Sequence, residues 1–213
     1  MSWRTITYFG DSMLLIPTAI LIALILPWKS SDRRTVWLWI LAFGLAGLIV
    51  SVSKILFMGF GIGSARFNFT GFSGHSAMSA TLWPVMLWLL SGRLPAFWRG
   101  VAVTIGYMVP LLVGASRLVL LAHSKSEVAT GLLLGFTLST LFLIHQRNTQ
   151  LKGFSLPQIG AALVLPLVII SHGRIATTQH FLAHLSADIA GLEKPWTRAD
   201  LLRQRDPGYQ SFE

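Results

Sequence analysis

Six apolar runs, at roughly residues 12–28, 36–58, 76–91, 98–115, 127–145 and 156–172, alternate with short polar links, and this alternation limits what the chain can fold into. A helix needs about 20 apolar residues to cross a bilayer, and in lipid its backbone N–H and C=O groups must be satisfied within the segment. The prediction is an all-α, polytopic membrane protein. Residues 1–175 form a bundle of six transmembrane helices, and residues 176–213 form an amphipathic C-terminal helix with a polar tail. Composition agrees: 12% of residues are charged, against about 25% in soluble domains, and 53% are hydrophobic. The net charge of +9 comes from basic residues in short clusters rather than on one continuous face, so nucleic acid is not an expected partner. Cysteine is absent, which excludes disulfides and thiolate metal sites. The first run ends in Leu26-Pro27-Trp28-Lys29 without a small-residue cleavage site, and it reads as a retained anchor.

Orientation follows from counting basic residues in the short links. Lys29, Arg33, Arg34, Arg93, Arg99, Arg147 and Lys152 fall on one face, with Trp28, Trp37, Trp39, Trp88 and Trp98 expected at the same interface. That face is predicted to be cytoplasmic. Both termini, Arg66, Arg117, His123 and Lys125 then belong to the extracytoplasmic side. The basic tail, with Arg174, Lys194, Arg198, Arg203 and Arg205, argues in the opposite sense, but tails orient a bundle less strongly than short links do.

Between Asp32 and Asp188 the only carboxylate is Glu127, four residues after His123 and ten after Arg117. Residues four apart share a helical face. An ionised group in an apolar run costs about 2.5–3.5 kcal/mol even on lenient scales, so it marks a site by default. His123 with Glu127 supplies a nucleophile or base with a carboxylate that orients its ring. His75, preceded by Ser73 and Gly74 at a predicted helix start, places a second imidazole beside backbone N–H groups that favour an anion. Arg117 offers a planar fork for phosphate oxygens. Lys54 and Arg66 are positioned to complete the cradle. A nucleophile, an acid for the leaving oxygen and several cations are the parts that phosphoryl chemistry needs.

These residues resemble the signatures of the type 2 phosphatidic acid phosphatases, whose wider superfamily includes bacterial lipid phosphatases and vanadium haloperoxidases. The family pattern is Lys, six residues, Arg-Pro; then Ser-Gly-His; then Ser-Arg, five residues, His, three residues, Asp. Here the second stands at Ser73-Gly74-His75, and the third at Ser116, Arg117 and His123 with Glu127 in place of Asp. Of the first only Lys54 is present, because Gly61-Ile62 occupies the Arg-Pro position. The resemblance spans roughly residues 54–135. It implies a metal-independent and cofactor-free phosphatase in a bacterial-type cytoplasmic membrane. Its substrate would be a lipid phosphate or diphosphate, of the undecaprenyl diphosphate, phosphatidic acid, phosphatidylglycerol phosphate or lipid A class. His123 would attack phosphorus, His75 would protonate the leaving oxygen, and Glu127 would hold the His123 ring. Ser73, Gly74, Arg117 and Lys54 would bind phosphate, with Arg66 standing in for the missing arginine. On this reading Glu127→Asp keeps or raises turnover.

Alternatives stay open at this level. The same phosphohistidine serves a lipid phosphotransferase, and a non-catalytic phospholipid-binding bundle would keep the charges without turnover. Lys54 is either an anion ligand or a side chain that snorkels to the interface; Arg66 is either a ligand or a plain loop charge. Gly59, Gly61 and Gly63 lack the Lys-Ser/Thr of a nucleotide loop and read as close packing or a flexible entry. In the tail, Phe181, Leu185, Ile189 and Leu192 recur at helical spacing. His180, His184 and Asp188 lie between them and read as that helix's wet side rather than a metal face, since a histidine pair alone is a weak signal.

Overall fold

A computed structural model of the chain describes residues 2–149, 151–155, 158 and 178–205. Among them the secondary structure is helical, with two isolated β-bridges, Ser30–Leu151 and Ser64–Phe69. A short helix α1 (Trp3–Thr7) and a 3-10 turn (Tyr8–Gly10) lead into α2 (Ser12–Lys29). Asp11 starts α2 by accepting a bond from the Met13 N–H at 2.8 Å, satisfying one of the donors that a helix start leaves free. The helix buries Leu15, Ala19, Ile22 and Leu26, a stripe at three- and four-residue intervals. After it come α3 (Arg34–Phe60), α4 (Gly74–Leu90), α5 (Ala96–Val119) and α6 (Lys125–His145). The C-terminal part contributes α7 (Thr178–Ala190) and α8 (Arg198–Arg205).

Among the described residues four stretches are long and apolar enough to cross a membrane: Trp3–Lys29, Arg34–Phe60, Ala96–Val119 and Lys125–His145. The predicted run 76–91 corresponds to α4, a 17-residue helix. The predicted run 156–172 lies outside the described residues, so the described residues do not complete a count of six.

The shortest of these helices is the centre of the bundle. α4 is enclosed on most sides, burying Ser76, Ala77, Ser79, Ala80, Thr81, Leu82, Val85 and Met86 among others. Its Ser79 and Thr81 hydroxyls donate to the carbonyls of Ser76 and Ala77, so burial leaves them satisfied. Lipid tails are as apolar as leucine, and helices in a bilayer associate through close packing of small residues rather than through the hydrophobic effect. The α4–α6 contact is built this way. A Cβ on Gly131 would stand 2.8 Å from the Ser73 carbonyl oxygen, and one on Gly135 would collide with the Ala77 carbonyl and the Ala80 side chain. Gly106 of α5 makes the same kind of approach, 2.8 Å from Pro84 Cα.

At one end of the bundle the basic links meet. Lys152 N–H donates to the Lys29 carbonyl at 2.7 Å, and Lys29 Nζ donates to the Gly153 carbonyl at 3.2 Å. The tryptophans expected at this interface divide into two groups. Trp28, Trp37 and Trp98 are exposed, but Trp39 and Trp88 are buried, packing edge-on against Phe142 at 5.9 and 6.0 Å. Trp39 satisfies its indole N–H on the Ala19 carbonyl at 2.9 Å, which lets it serve as core rather than as an interfacial anchor.

α7 packs on the other end of α3. Leu182 and Ala187 are buried, and Gly59 is so close that a Cβ would lie 3.0 Å from the Ser186 carbonyl. Beyond it Leu201 joins Phe57, Met58 and Leu182 in a second apolar cluster. The glycine-rich segment 59–63 is thus a packing surface, as its lack of nucleotide-loop partners suggested.

Candidate active site

The segment between α3 and α4 folds back over the start of α6, and this brings the two histidine motifs together. Ser64 and Phe69 exchange backbone bonds at 2.9 Å each, closing a tight loop in which Asn68 takes a left-handed conformation, φ 49°. The loop is then pinned to α6: Ser126 Oγ donates to the Phe67 carbonyl at 2.7 Å, and Ser73 N–H donates to the Glu127 carbonyl at 3.1 Å. Ser73 begins α4, its hydroxyl accepting from Ser76 N–H and Ser76 Oγ at 3.4 and 3.0 Å. The hydroxyl of this expected phosphate ligand therefore serves as a helix cap. Gly74 lies against Val50, where a Cβ would stand 3.4 Å from Cγ1.

Glu127 is fully buried and accepts from every side. Oε1 receives Thr70 N–H at 2.8 Å, Thr70 Oγ1–H at 2.6 Å and an Arg198 Nη2–H at 2.8 Å. Oε2 receives Ser124 N–H at 3.0 Å, the same Arg198 nitrogen at 2.7 Å, and pairs with His123 Nδ1 at 2.8 Å. Ser124 and Glu127 also form a capping box, each side chain bonded to the other's backbone N–H. Two local rules thus agree on where the carboxylate points: the start of α6 and the four-residue step to His123.

Because Nδ1 of His123 is committed to the carboxylate, Nε2 is the nitrogen free to react. His123 lies in the link between α5 and α6. Burial pushes its imidazole below the ordinary histidine range, the Glu127 bond and charge oppose this, and Lys54 and Arg117 add to it. The net direction is downward, so the ring is neutral at neutral pH, the form that carries a lone pair.

Arg117, in the last turn of α5, donates from Nη1 to Thr7 Oγ1 at 2.9 Å, while its buried Nε finds no partner among the described residues. A buried guanidinium N–H without an acceptor suits a ligand anion. Lys54, in α3, donates to Gln179 Oε1 of α7 at 2.5 Å. Lys54, Arg117 and His123 all lie close enough to His75 to act on its charge, so the four expected groups share one neighbourhood. His75 Nε2 faces Asp11 Oδ2 at 4.0 Å.

Arg66 is placed differently. It is exposed with its guanidinium over the Phe67 ring, 5.5 Å from the centroid, and among the described residues no hydrogen bond or ion pair joins it to the cluster. The groups that sequence reasoning missed are Thr70, Arg198, Asp11 and Thr7. Thr70 lies within the quoted motif region, five residues before His75, but threonine in a loop carries no signal of its own. The other three stand near the chain ends, where only the fold reveals their target. His180, His184 and Asp188 are on α7, and among the described residues no three potential metal ligands stand together.

Comparison with known proteins bears on the same residues. The sequence profile described as the PAP2 superfamily matches residues 59–152, which contain both histidine motifs but not Lys54. A protein of Klebsiella pneumoniae, described as an uncharacterized 22.5 kDa protein in cps region, is 43% identical over 207 residues, covering 96% of this chain and 99% of its own length. No solved structure matches the chain. With a profile that matches across both histidine signatures, and with those signatures gathered at one end of a helical bundle, the chain belongs to the PAP2 superfamily, the type 2 phosphatidic acid phosphatase-like family.

Proposed function

We propose that this protein is a membrane lipid phosphatase that works through a phosphohistidine on His123. The observation that carries the reading is the His123–Glu127 couple at 2.8 Å, set beside the Arg117 Nε–H, which has no partner among the described residues. His123 Nε2 attacks phosphorus while the bond from phosphorus to the lipid oxygen breaks, and His75 gives its proton to that oxygen. Water then attacks the phosphohistidine, His75 takes the water's proton, and phosphate leaves from a regenerated His123. Glu127 keeps the Nδ1 proton in place throughout and stabilises the charge that builds on the ring. Arg117 and Lys54 hold the phosphoryl oxygens, and the negative charge they bind also offsets the cations around His75, so the substrate itself helps that ring keep its proton.

The substrate is a phosphate or diphosphate ester of a lipid, a reading supported by the cluster's place at the end of helices long and apolar enough to cross a membrane. By the distribution of basic links this end faces the extracytoplasmic side of a bacterial cytoplasmic membrane. The test is phosphate release by the purified protein from a panel of lipid phosphates with the phosphoryl group labelled. Free labelled phosphate, lost in His123→Ala, is the expected result. Label appearing on a second lipid makes the protein a phosphotransferase, and no transfer to either acceptor across the panel refutes the catalytic reading.

A further inference from the structure

Arg198 reaches the centre of the site from the far end of the chain, and neither histidine signature accounts for it. Its Nη2 straddles both Glu127 oxygens, at 2.8 and 2.7 Å, and its Nη1 is held by the Asn68 side-chain oxygen at 2.7 Å. We propose that Arg198 is a positioning residue of the reaction, acting through Glu127 to hold His123 in the neutral, correctly turned state from which it attacks. The proposal rests on reading His123 as the nucleophile.

The way the tail is docked argues that this contact is built rather than incidental. Trp196 N–H donates to the Met58 carbonyl at 2.8 Å, and Leu201 is buried against Phe57 and Met58. Thr197 and Asp200 bond to each other at the start of α8, fixing the backbone from which Arg198 departs. The indole of Trp196 covers Gly61, the position at which the first family signature has its arginine. Gly61 ends α3 at φ 67°, and a Cβ there would stand 3.2 Å from the indole. A side chain at 61 would strain this left-handed backbone and press on the indole. The chain instead delivers a guanidinium two residues beyond that tryptophan, onto the carboxylate.

The physical role follows from where the charges sit. A buried carboxylate whose only charged partner is an imidazole is costly, and it recovers part of that cost by drawing a proton onto the ring. A protonated ring cannot attack phosphorus. With Arg198 sharing both oxygens, Glu127 keeps its orientation on Nδ1 but pulls less strongly for a second proton. The other charged or titratable groups around His123 are Lys54 of α3, His75 of α4 and Arg117 of α5, and none of these is bonded to the carboxylate. Arg198 is therefore the group that sets the balance between orienting the ring and protonating it.

The test uses the full chain purified in detergent, with Arg198→Met and Arg198→Lys compared on phosphatidic acid in mixed micelles. A parallel titration follows the His123 ring by NMR in histidine-labelled protein, with its resonance identified by loss in His123→Ala. In Arg198→Met the acid limb of kcat and the His123 midpoint both move up by about one pH unit, tenfold in proton affinity. Turnover falls about 10- to 100-fold, with KM nearly unchanged, as when a supporting partner of a reacting group is removed. Arg198→Lys keeps the wild-type midpoint but, lacking the second nitrogen that Asn68 holds, recovers turnover only in part. An unmoved His123 midpoint in folded Arg198→Met, or a rise in KM alone, overturns the proposal. If Arg198→Met does not fold, Arg198→Lys decides: wild-type turnover or a displaced midpoint overturns it. Should the wild-type protein release no phosphate from any lipid, the phosphatase reading fails, while the His123 titration still decides the role of Arg198.

Discussion

Replacing Glu127 by glutamine changes no shape and removes one charge, which makes it the sharpest perturbation the site allows. Each carboxylate oxygen receives three contacts: two from Thr70 and one from Arg198 on Oε1, and Ser124 N–H, Arg198 and the His123 ring on Oε2. An amide must turn its NH2 toward one of these sets, so donors face donors whichever way it lies. At about 1 kcal/mol for each bond so lost, three on the Thr70 side or two on the side where the His123 ring can turn acceptor, the cost is about 2–3 kcal/mol. That is at or below the low end of the range of about 3–5 kcal/mol for breaking a buried pair, as expected because Arg198 is one-third exposed and partly rehydrates. If the NH2 faces His123, the ring accepts at Nδ1 and carries its proton on Nε2, the wrong nitrogen for attack. Loss of the correct tautomer in a hydrolytic triad lowers turnover about 10⁴-fold, and a loss of about 10³ to 10⁴ is expected here. Thermal unfolding in detergent and single-turnover phosphate release measure the two effects separately. A Glu127→Gln protein with wild-type melting and wild-type turnover refutes the account. The same geometry revises the sequence-based expectation for Glu127→Asp. The extra methylene is what lets one carboxylate reach Thr70, Arg198 and His123 together, so aspartate gives up part of that set and lowers turnover rather than preserving it.

The acid limb of the wild-type pH profile should have its midpoint below the ordinary imidazole range, and the loss of the His75 proton sets a separate basic limb. Burial depresses His123, activity requires its neutral form, and protonation on acidification removes it; a midpoint above that range in kcat for phosphate release contradicts this. Arg66→Ala should change phosphate release less than twofold, a surface-sized effect of under about 0.5 kcal/mol, because Arg66 lies over Phe67 outside the cluster, whereas Arg117→Ala should abolish release under the same assay. Gly135→Val should prevent recovery of monodisperse protein in size-exclusion chromatography, and Gly44→Val, where a Cβ meets nothing within 4 Å, should not.

Helix positions were legible where apolar periodicity was strong: the runs 12–28 and 127–145 correspond to Ser12–Lys29 and Lys125–His145 within two residues at each end. The His123–Glu127 pair was legible from its spacing, although His123 stands in the link just before the Ser124 cap and it is the capping box that turns the Glu127 side chain back toward it. What could not be read is what depends on distant partners. Trp39 and Trp88 have the composition of interfacial residues, and only the arrival of Phe142 between them makes them core. Arg198 stands in a basic tail that reads as solvated. Its partner is 71 residues away, and nothing local to either residue announces the contact. Arg66, nearer in sequence to Ser73-Gly74-His75, was the better guess by proximity, and the left-handed turn at Asn68 leaves it outside the cluster.

The precision of the site is inherited from the seam between α4 and α6. Glu127, Gly131 and Gly135 follow one another at four-residue steps, so they lie on one face of α6, and that face is pressed on Ser73, Ala77 and Ala80. Each glycine allows the two backbones to approach to a distance that a side chain forbids. The consequence at the top of the seam is that Ser73 N–H reaches the Glu127 carbonyl, which fixes the start of α4, and hence His75, relative to the carboxylate that holds His123. Reacting groups must be held to within about half an ångström, and rigid helices achieve this better than loops. A lipid-embedded bundle cannot use the hydrophobic effect to press its helices together, so small residues beneath the site perform the alignment. The acid, its two histidines and the seam that registers them form one mechanical unit. Widening the seam one turn below Glu127, with Gly131→Ala, should therefore lower single-turnover phosphate release while thermal unfolding in detergent stays near that of the wild type.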